Sequence, residues 1–203
     1  MIVYDISYCQ PAGTVSALAM TGADGIIIRN GYLGKTDTMF EKHISDALKC
    51  FRDKMIGSYT YVMADTTDDA ETEAQQTISR LWPYKAQINM PIYVDMEAQK
   101  FCQKAKRSLN TAILMVEIEA LRKAGFSIGV YTNQSFSTYY MDLECLRRQF
   151  PGLSLWLADY REKPYDPPMP VDLWQKGTSL VGRTEIDTNE CYVDFCSRNK
   201  FFK

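Results

Sequence analysis

Two acidic residues, Asp95 and Glu97, stand two positions apart at the end of the apolar run over residues 91–96. Alternate side chains of a β-strand point the same way, so both carboxyl groups are predicted to share one face, with Cα atoms ~6.5 Å apart. Two carboxylates this close in a partly dry pocket resist ionising together, which raises the pKa of one of them. An acid that stays protonated near neutral pH can donate its proton to a glycosidic oxygen. The alternative is two ordinary surface acids on a solvated strand end.

Two further acids, Asp5 and Asp187, also stand at or just beyond the carboxyl end of a predicted strand. In α/β barrels the carboxyl ends of the strands line the face that holds the active site. The four acids are therefore predicted to gather there. Taken singly, Asp5 could be a turn former and Asp187 the N-cap of a last helix. Their spread along the whole chain favours one shared site.

Aromatic residues accumulate near the same strand ends. Sugar rings offer apolar C–H faces that stack on aromatic side chains, so an acidic cleft with an aromatic rim suits a glycan. The candidates are Tyr32, Tyr59, Tyr61, Tyr131, Trp156, Tyr160 and Trp174. Burial in the core is the alternative for some of them, above all Tyr59 and Trp156. Arg29 is expected to pair with one of the four acids or, equally, to form an ordinary ion pair at a strand end.

Short apolar runs alternate with longer amphipathic stretches, which is the pattern of β/α units. Strands are predicted over residues 2–6, 25–29, 58–63, 91–96, 127–131, 153–157, 171–174 and 184–186. Helices are predicted over residues 15–21, 38–54, 69–82, 102–124 and 143–149, with room for one more after Asn189. This order indicates an α/β fold: a distorted, TIM-like (β/α) barrel of about eight strands and about five helices, with an irregular C-terminal part. Residues 1–203 are expected to form a single domain.

The composition excludes several classes of protein. Lys plus Arg number 23 and Asp plus Glu 25, a net charge of −2, whereas nucleic-acid-binding surfaces are basic. The six cysteines form no CxxC pair and the one histidine is His43, so we expect no metal site, no cofactor and no disulfide framework. No apolar run approaches the ~20 residues that span a bilayer, and the first residues do not resemble a signal peptide. Synthesis in the cytoplasm without membrane insertion is the expectation.

Several short motifs, in the same order along nearly the entire chain, resemble those of glycoside hydrolase family 25, the Chalaropsis-type lysozymes of phages, bacteria and some fungi. The motifs are Asp5-Ile6-Ser7 with Gln10, residues 26–29 with Gly31-Tyr32, Asp37 and Phe40, residues 57–61, 92–97, 129–133 and 155–160, Trp174-Gln175, and residues 186–189. The resemblance adds Asn133 and Gln175 to the candidate substrate-binding residues.

This resemblance implies hydrolysis of the β-1,4 bond between N-acetylmuramic acid and N-acetylglucosamine in the glycan strands of peptidoglycan. Glu97 is then expected to be the general acid. Asp95, ionised, would orient and polarise the substrate's acetamido group, whose oxygen attacks the anomeric carbon. Asp5 and Asp187 would hold the hydrogen-bond geometry and support positive charge. Inversion, in which Asp5 or Asp187 activates a water, is the competing mechanism.

Two other functions stay open on the sequence. One is a barrel that binds glycan without cutting it, against which the full acidic set argues. The other is a chitinase-like hydrolase, whose DxxDxDxE pattern has acids that the residues before Asp95 lack. A phage endolysin released through a membrane hole is the first expectation for how the protein reaches the cell wall, and a domain excised from a secreted protein is the second. The sequence carries no signal for an oligomeric state.

Overall fold

The computed structural model describes residues 1–32, 34–97, 100–160 and 170–198. The strands are β1 (Ile2–Ile6), β2 (Gly25–Tyr32), β3 (Lys35–Thr36), β4 (Met55–Tyr61), β5 (Ile92–Asp95), β6 (Ile128–Asn133), β7 (Ser154–Ala158), β8 (Leu173–Val181) and β9 (Thr184–Cys191). The helices are α1 (Thr14–Met20), α2 (Phe40–Cys50), α3 (Thr67–Leu81), α4 (Lys100–Lys104), α5 (Arg107–Lys123), α6 (Gln134–Tyr139), α7 (Leu143–Gln149) and α8 (Phe195–Arg198), with a 3-10 turn over Trp82–Tyr84. Within these described ranges, no helix has the length and apolar character needed to cross a membrane.

Eight of the strands close into a barrel in the order β1, β2, β4, β5, β6, β7, β8 and β9, with β9 paired back to β1. Neighbouring strands from β1 through β8 are parallel. The last strand, β9, is antiparallel to both β8 and β1, and β3 is a short addition antiparallel to β2. Because the parallel strands all end at one edge, their carboxyl ends surround a single mouth. The predicted distorted barrel is confirmed.

The inside of the barrel is filled by side chains rather than open. Trp156 lies at its centre, with its ring edge-on to those of Tyr93 and Tyr131 at centroid distances of 5.3 and 4.4 Å. Room for these rings comes from glycine: a Cβ on Gly129 would lie 2.5 Å from the Tyr93 ring. The outward-facing side chains of the strands form a second apolar cluster with the helices. The mouth therefore has a solid aromatic floor.

Helix boundaries follow local signals where the sequence has them. The Thr66 side chain accepts from the Asp69 N–H at 3.1 Å and starts α3, and Gly125, at φ +79°, ends α5. The predicted single helix over residues 102–124 is wrong, since Lys106 is extended and separates α4 from α5. The Asn110 amide donates to the Cys102 carbonyl at 2.8 Å and stabilises this break. With α6 also unpredicted, the described residues form eight helices instead of about five.

The C-terminal part is more regular than the sequence predicted. In place of two short strands at 171–174 and 184–186, β8 and β9 form a hairpin of nine and eight residues. Their turn contains Gly182 at φ +65°, a conformation that side chains other than glycine rarely adopt. The missed residues, 175–181 of β8 and 187–191 of β9, are largely polar, which is why the apolar-run criterion shortened both strands.

Candidate active site

The structure brings the four predicted acids to one end of the barrel, although they lie far apart in the chain. Asp5 and Asp187 are register partners on the adjacent strands β1 and β9. Asp95 is the last residue of β5, and Glu97 follows it by two positions. Asp5 and Asp95 are buried, whereas Glu97 and Asp187 are partly exposed. The first two carboxyl groups thus form the enclosed part of the cluster and the other two its accessible part.

Asp187 reaches this site in a way that the sequence did not predict. It lies in the middle of β9, neither beyond a strand end nor at the start of a helix. Because β9 runs antiparallel to its neighbours, its middle crosses the level at which β1 carries Asp5. The predicted location is confirmed, but the reason given for it is wrong.

A chain of hydrogen bonds connects Glu97 to Asp5 across the mouth. The Tyr131 hydroxyl lies 3.4 Å from Glu97 Oε2 and 2.9 Å from Gln175 Oε1. The amide of Gln175 donates to Asp5 Oδ2 at 3.0 Å, and the Tyr160 hydroxyl donates to Gln175 Oε1 at 2.6 Å. A tyrosine hydroxyl has one proton to give. Tyr131 therefore donates either to Glu97 or to Gln175, and an ionised Glu97 favours the first arrangement.

Asn189 holds Asp5 from the side of the barrel floor. Its amide donates to Asp5 Oδ2 at 2.8 Å, while its own oxygen accepts from the Trp156 indole N–H at 2.6 Å. The indole thereby sets the orientation of the amide, and Asp5 receives two N–H donors on one oxygen. Trp156 is only 1% exposed, so it supports the site from below. The prediction that Trp156 contacts substrate is corrected accordingly, in favour of the core alternative.

Simultaneous ionisation of the enclosed pair, Asp5 and Asp95, is strongly disfavoured. Burial, followed by the charge of Asp187, raises the pKa of Asp5 to about 7, although its two amide hydrogen bonds act in the opposite direction. Burial, followed by the charges of Glu97 and Asp5, raises the pKa of Asp95 well above its ordinary range. In the free protein these two groups consequently hold protons at pH values where surface aspartates are ionised.

The accessible pair is shifted in the same direction. Burial and the charge of Asp187 raise the pKa of Glu97, against the lowering effect of the Tyr131 hydrogen bond. Burial and the charge of Glu185 raise the pKa of Asp187. The sequence predicted a raised pKa for one member of the Asp95 and Glu97 pair. In the structure the pKa values of both are raised, chiefly because both carboxyl groups are removed from solvent and further because two more acids lie nearby.

Arg29 pairs with none of the four acids. Its Nε donates to Asp37 Oδ2 at 2.7 Å, which confirms the ordinary ion pair. The guanidinium carbon lies 4.7 Å from the ring centroid of Tyr8 and 5.2 Å from that of Tyr32. Its charge still lowers the pKa of Asp95. Arg29 is therefore a positive group held by aromatic rings at the margin of the acid cluster.

Tyrosines form the rim of the mouth. Tyr32 and Tyr61, on β2 and β4, have ring centroids 5.3 Å apart. Tyr61 is the register partner of Asp95 on the neighbouring strand β5, and burial and the charges of Asp95 and Glu97 raise its pKa. Tyr160, 64% exposed, stands after β7, three strands further round the barrel. The rim offers flat apolar faces together with hydroxyl groups, the two kinds of contact that a sugar ring makes.

Two predicted contact residues have other partners. Gln175 faces the mouth, so its neighbour Trp174 faces the outside of the barrel, where its indole N–H donates to the Asp159 carbonyl at 2.7 Å. The prediction that Trp174 contacts substrate is thus corrected. Asn133 is the N-cap of α6, and its side-chain oxygen accepts from the Phe136 N–H at 2.9 Å. The cap uses one lone pair of that oxygen, so the second lone pair and the amide N–H groups can still bind other partners.

For Tyr59, sequence reasoning left two places open, the aromatic rim and the core, and favoured the core. Tyr59 is partly exposed, and burial with the charges of Asp5, Asp95 and Asp187 raises its pKa well above the ordinary value. Its ring packs edge-on against that of Trp156, at a centroid distance of 5.8 Å, so Tyr59 also contacts the apolar interior of the barrel. The available signal was its spacing from Tyr61, because residues two positions apart on β4 share a face.

A barrel mouth with four carboxyl groups of raised pKa beneath a tyrosine rim has the equipment of a glycoside hydrolase: a proton donor for the leaving oxygen and further carboxyl groups to support positive charge on the sugar. The sequence agrees with this class. Residues 4–179 match the sequence model of glycosyl hydrolases family 25, and the chain belongs to this family. The matched residues include Asp5, Asp95 and Glu97 but end before β9. Asp187, which lies on β9, is part of the site because β9 pairs with β1.

Several solved structures share this fold at low sequence identity. The catalytic domain of an endolysin from a bacteriophage of Listeria monocytogenes has a TM-score of 0.78 at 24% identity, covering 98% of this chain and 97% of that one. A muramidase from Trichobolus zukalii has a TM-score of 0.81 at 18% identity, covering 98% and 97%. The autolysin LytC from Streptococcus pneumoniae has 0.73 at 22%, covering 93% and 46%, so this chain spans about half the autolysin's length. None of the curated proteins matches the sequence.

Proposed function

We propose that this chain is a lysozyme of the N-acetylmuramidase type, which hydrolyses the β-1,4 bond between N-acetylmuramic acid and N-acetylglucosamine in bacterial peptidoglycan. The observation that carries the proposal is the gathering of Asp5, Asp95, Glu97 and Asp187 at one barrel mouth in a family 25 glycosyl hydrolase. Among the structures of similar fold, LytC was solved with a synthetic peptidoglycan ligand and the Cpl-1 endolysin with a peptidoglycan analogue. Peptidoglycan is accordingly the substrate proposed, and the cell wall the site of action.

Glu97 is the general acid in this proposal. Burial and the charge of Asp187 let it keep a proton at higher pH than an ordinary glutamate. It is also partly exposed, whereas Asp95 is buried, so a leaving-group oxygen can reach it. When Glu97 gives up its proton, the Tyr131 hydroxyl, 3.4 Å away, can donate to the new carboxylate. Glu97 afterwards removes a proton from the attacking water.

Asp95 acts on the substrate's acetamido group. The acetamido N–H donates to Asp95, and the acetamido oxygen attacks the anomeric carbon as the bond to the leaving oxygen breaks. In the free protein burial favours the protonated form of Asp95. The reactive form is the one in which Asp95 has released its proton to solvent. Its negative charge then stabilises the positive charge that develops on the acetamido group, so Asp95 interacts more strongly with the transition state than with the ground state.

Asp5 and Asp187 support this geometry. The amides of Asn189 and Gln175 hold Asp5 in one orientation, and Asp187 adds negative potential beside Glu97. The remaining contacts to sugar are proposed for residues of the rim and its margin. These are Arg29, Tyr32, Tyr61, Tyr131, Asn133, Tyr160 and Gln175.

Mass spectrometry of purified peptidoglycan after digestion tests the bond that is cut. Reduction with borohydride should convert the new chain ends to muramicitol, because N-acetylmuramic acid carries the new reducing end. New ends in N-acetylglucosamine would contradict the assignment, and cleavage of chitin oligomers at an equal rate would favour a chitinase-like enzyme.

The anomeric form of the first product tests the mechanism separately. Attack by the acetamido group retains the configuration, so the first product should be the β anomer in NMR spectra taken at early times. An α anomer would replace this scheme by inversion through Asp5 or Asp187, while leaving the assignment of the bond intact.

A further inference from the structure

The hairpin of β8 and β9 extends beyond the barrel on the side of the mouth. On β9 the residues from Asp187 to Glu190 pair with β1, whereas Thr184, Glu185 and Ile186 pair with β8 alone. Since β1 runs towards the mouth and Asp5 lies near its end, the unshared part of the hairpin projects past the acid cluster. Residues 178–186 are termed the arm.

One face of the arm is anchored to the body of the protein. Ile186 is buried in the outer apolar cluster, and Val181 packs against the same cluster. Ser179, opposite Ile186, accepts at 2.8 Å from the hydroxyl of Thr188. These contacts hold the arm in a defined position, so its other face is a fixed surface.

The other face continues the active-site wall. Directly opposed residues of an antiparallel pair share a face, and Thr178 is opposite Asp187 while Leu180 is opposite Glu185. The Thr178 hydroxyl donates to Glu185 at 2.6 Å, and the charge of Glu185 raises the pKa of Asp187. Two positions along a strand separate Glu185 from Asp187, or ~7 Å, so Leu180 and Glu185 lie outside the acid cluster on the same face of the hairpin.

Leu180 is 74% exposed at this point. A single exposed leucine is common on protein surfaces. Leu180 differs because it lies on the same face as Asp187, in line with the acid cluster. An apolar side chain beside a hydroxyl and a carboxylate matches the apolar face and the hydroxyl donors of a sugar ring. A peptide stem carrying carboxylates fits poorly, because Glu185 and Asp187 add negative charge there.

We propose that the arm is an extension of the substrate cleft, in which Leu180 covers one face of a sugar ring while Thr178 and Glu185 bind its hydroxyl groups. The occupant is the same glycan strand, at the third sugar from the bond that is cut, beyond the two sugars on each side that a tetrasaccharide supplies. This inference rests on the proposed function and deepens it. The family match ends at residue 179, so family membership does not assign this role to the tip of the arm.

Oligomers of alternating N-acetylglucosamine and N-acetylmuramic acid, of four and of eight sugars, test the arm. For Leu180→Ser we expect kcat/KM on the octasaccharide to fall about threefold to tenfold, the effect of losing one apolar contact. On the tetrasaccharide it should stay within about twofold, because the arm lies outside the shortest productive complex. Leu180→Tyr should keep or raise kcat/KM on the octasaccharide, since the ring provides a larger stacking surface.

Met20→Ser is the matched control. Met20 is 83% exposed at the end of α1, on the opposite end of the barrel, and its loss should change neither rate. An unchanged thermal midpoint confirms that each variant is folded. Equal losses on both oligomers, or no loss on either, would overturn the role of the arm. If the unmodified protein cuts neither oligomer, the proposed function itself fails.

Discussion

Two of the places where the protein buries acidic side chains are the mouth of the barrel and the interface between α3 and α5. In the interface, Glu73 accepts from the backbone N–H groups of Met63 and Ala64 at 2.9 and 3.0 Å. Glu117 is 0% exposed, and within the described residues neither of its oxygens has a hydrogen-bond partner. Burial raises the pKa of both glutamates, and for Glu117 the charge of Glu73 adds to the effect.

The carboxyl groups in both places have raised pKa values, but the two places differ in access for a substrate and in the hydrogen bonds that orient the carboxyl groups. At the mouth, Asp5 is oriented by two amide donors and Glu97 is open to a substrate. Behind the barrel wall, Glu117 is closed to solvent and no hydrogen-bond donor among the described residues reaches it; the charge of Arg80 lowers its pKa but does not outweigh burial. A raised pKa therefore shows only that a carboxyl group is enclosed. A catalytic carboxyl group also needs access for a substrate and hydrogen bonds that fix its orientation.

The largest effect that separates the two places is expected from Glu97→Gln. The amide keeps the size of the side chain but cannot donate a proton to the leaving oxygen, so turnover should fall at least ~100-fold. Turbidity loss of purified cell walls measures the turnover, and the thermal midpoint should stay close to that of the parent. Lysis at the parent's rate would show that Glu97 is not the acid.

Asp95→Asn should follow, with a loss of about 100-fold or more, because a neutral amide cannot stabilise positive charge on the acetamido group. The loss should appear in kcat more than in KM, since the interaction strengthens in the transition state. Steady-state kinetics on the tetrasaccharide provide both constants. A rise in KM at constant kcat would instead assign Asp95 to ground-state binding.

Glu117→Leu should leave turnover within about twofold and increase the free energy of unfolding by about 1–3 kcal/mol at pH 8, because it removes an uncompensated buried acid. The folded-state pKa of Glu117 is raised, so its contribution to stability is greatest below its ordinary pKa and declines as pH rises through the raised one. The gain from leucine should consequently be smaller at pH 5 than at pH 8, as measured by urea denaturation.

The matched control is Glu119→Leu, on the same helix but ion-paired with Arg122 at the surface. It should produce no gain that grows with pH. A loss of turnover in Glu117→Leu with the fold intact would break the comparison between the two buried sites.

The smallest effect is expected in the pH profile of Asp5→Asn. The charge of Asp5 raises the pKa of Asp95, so its removal lowers that pKa. The acidic limb of kcat/KM, which reports the loss of the proton from Asp95, should then move to lower pH whatever happens to the maximum rate. A movement to higher pH would show that a different group controls that limb.

The sequence by itself determined the class of fold and most of the acid cluster. Apolar runs and amphipathic stretches are local patterns, and Asp95 and Glu97 follow directly from the alternation along one strand. Local chemistry also ended α5 at Gly125. These features depend on interactions within a few residues, so they can be predicted without knowing the fold.

Only the tertiary structure decided which side chains meet. The partner of Arg29 is Asp37, and Trp156 and Trp174 support the mouth without lining it. Asp187 joins Asp5 because β9 runs antiparallel to β1, and the ring of Tyr59 packs against that of Trp156 inside the barrel. Each outcome depends on the register between strands distant in the chain, where a shift of one residue moves a side chain to the opposite face.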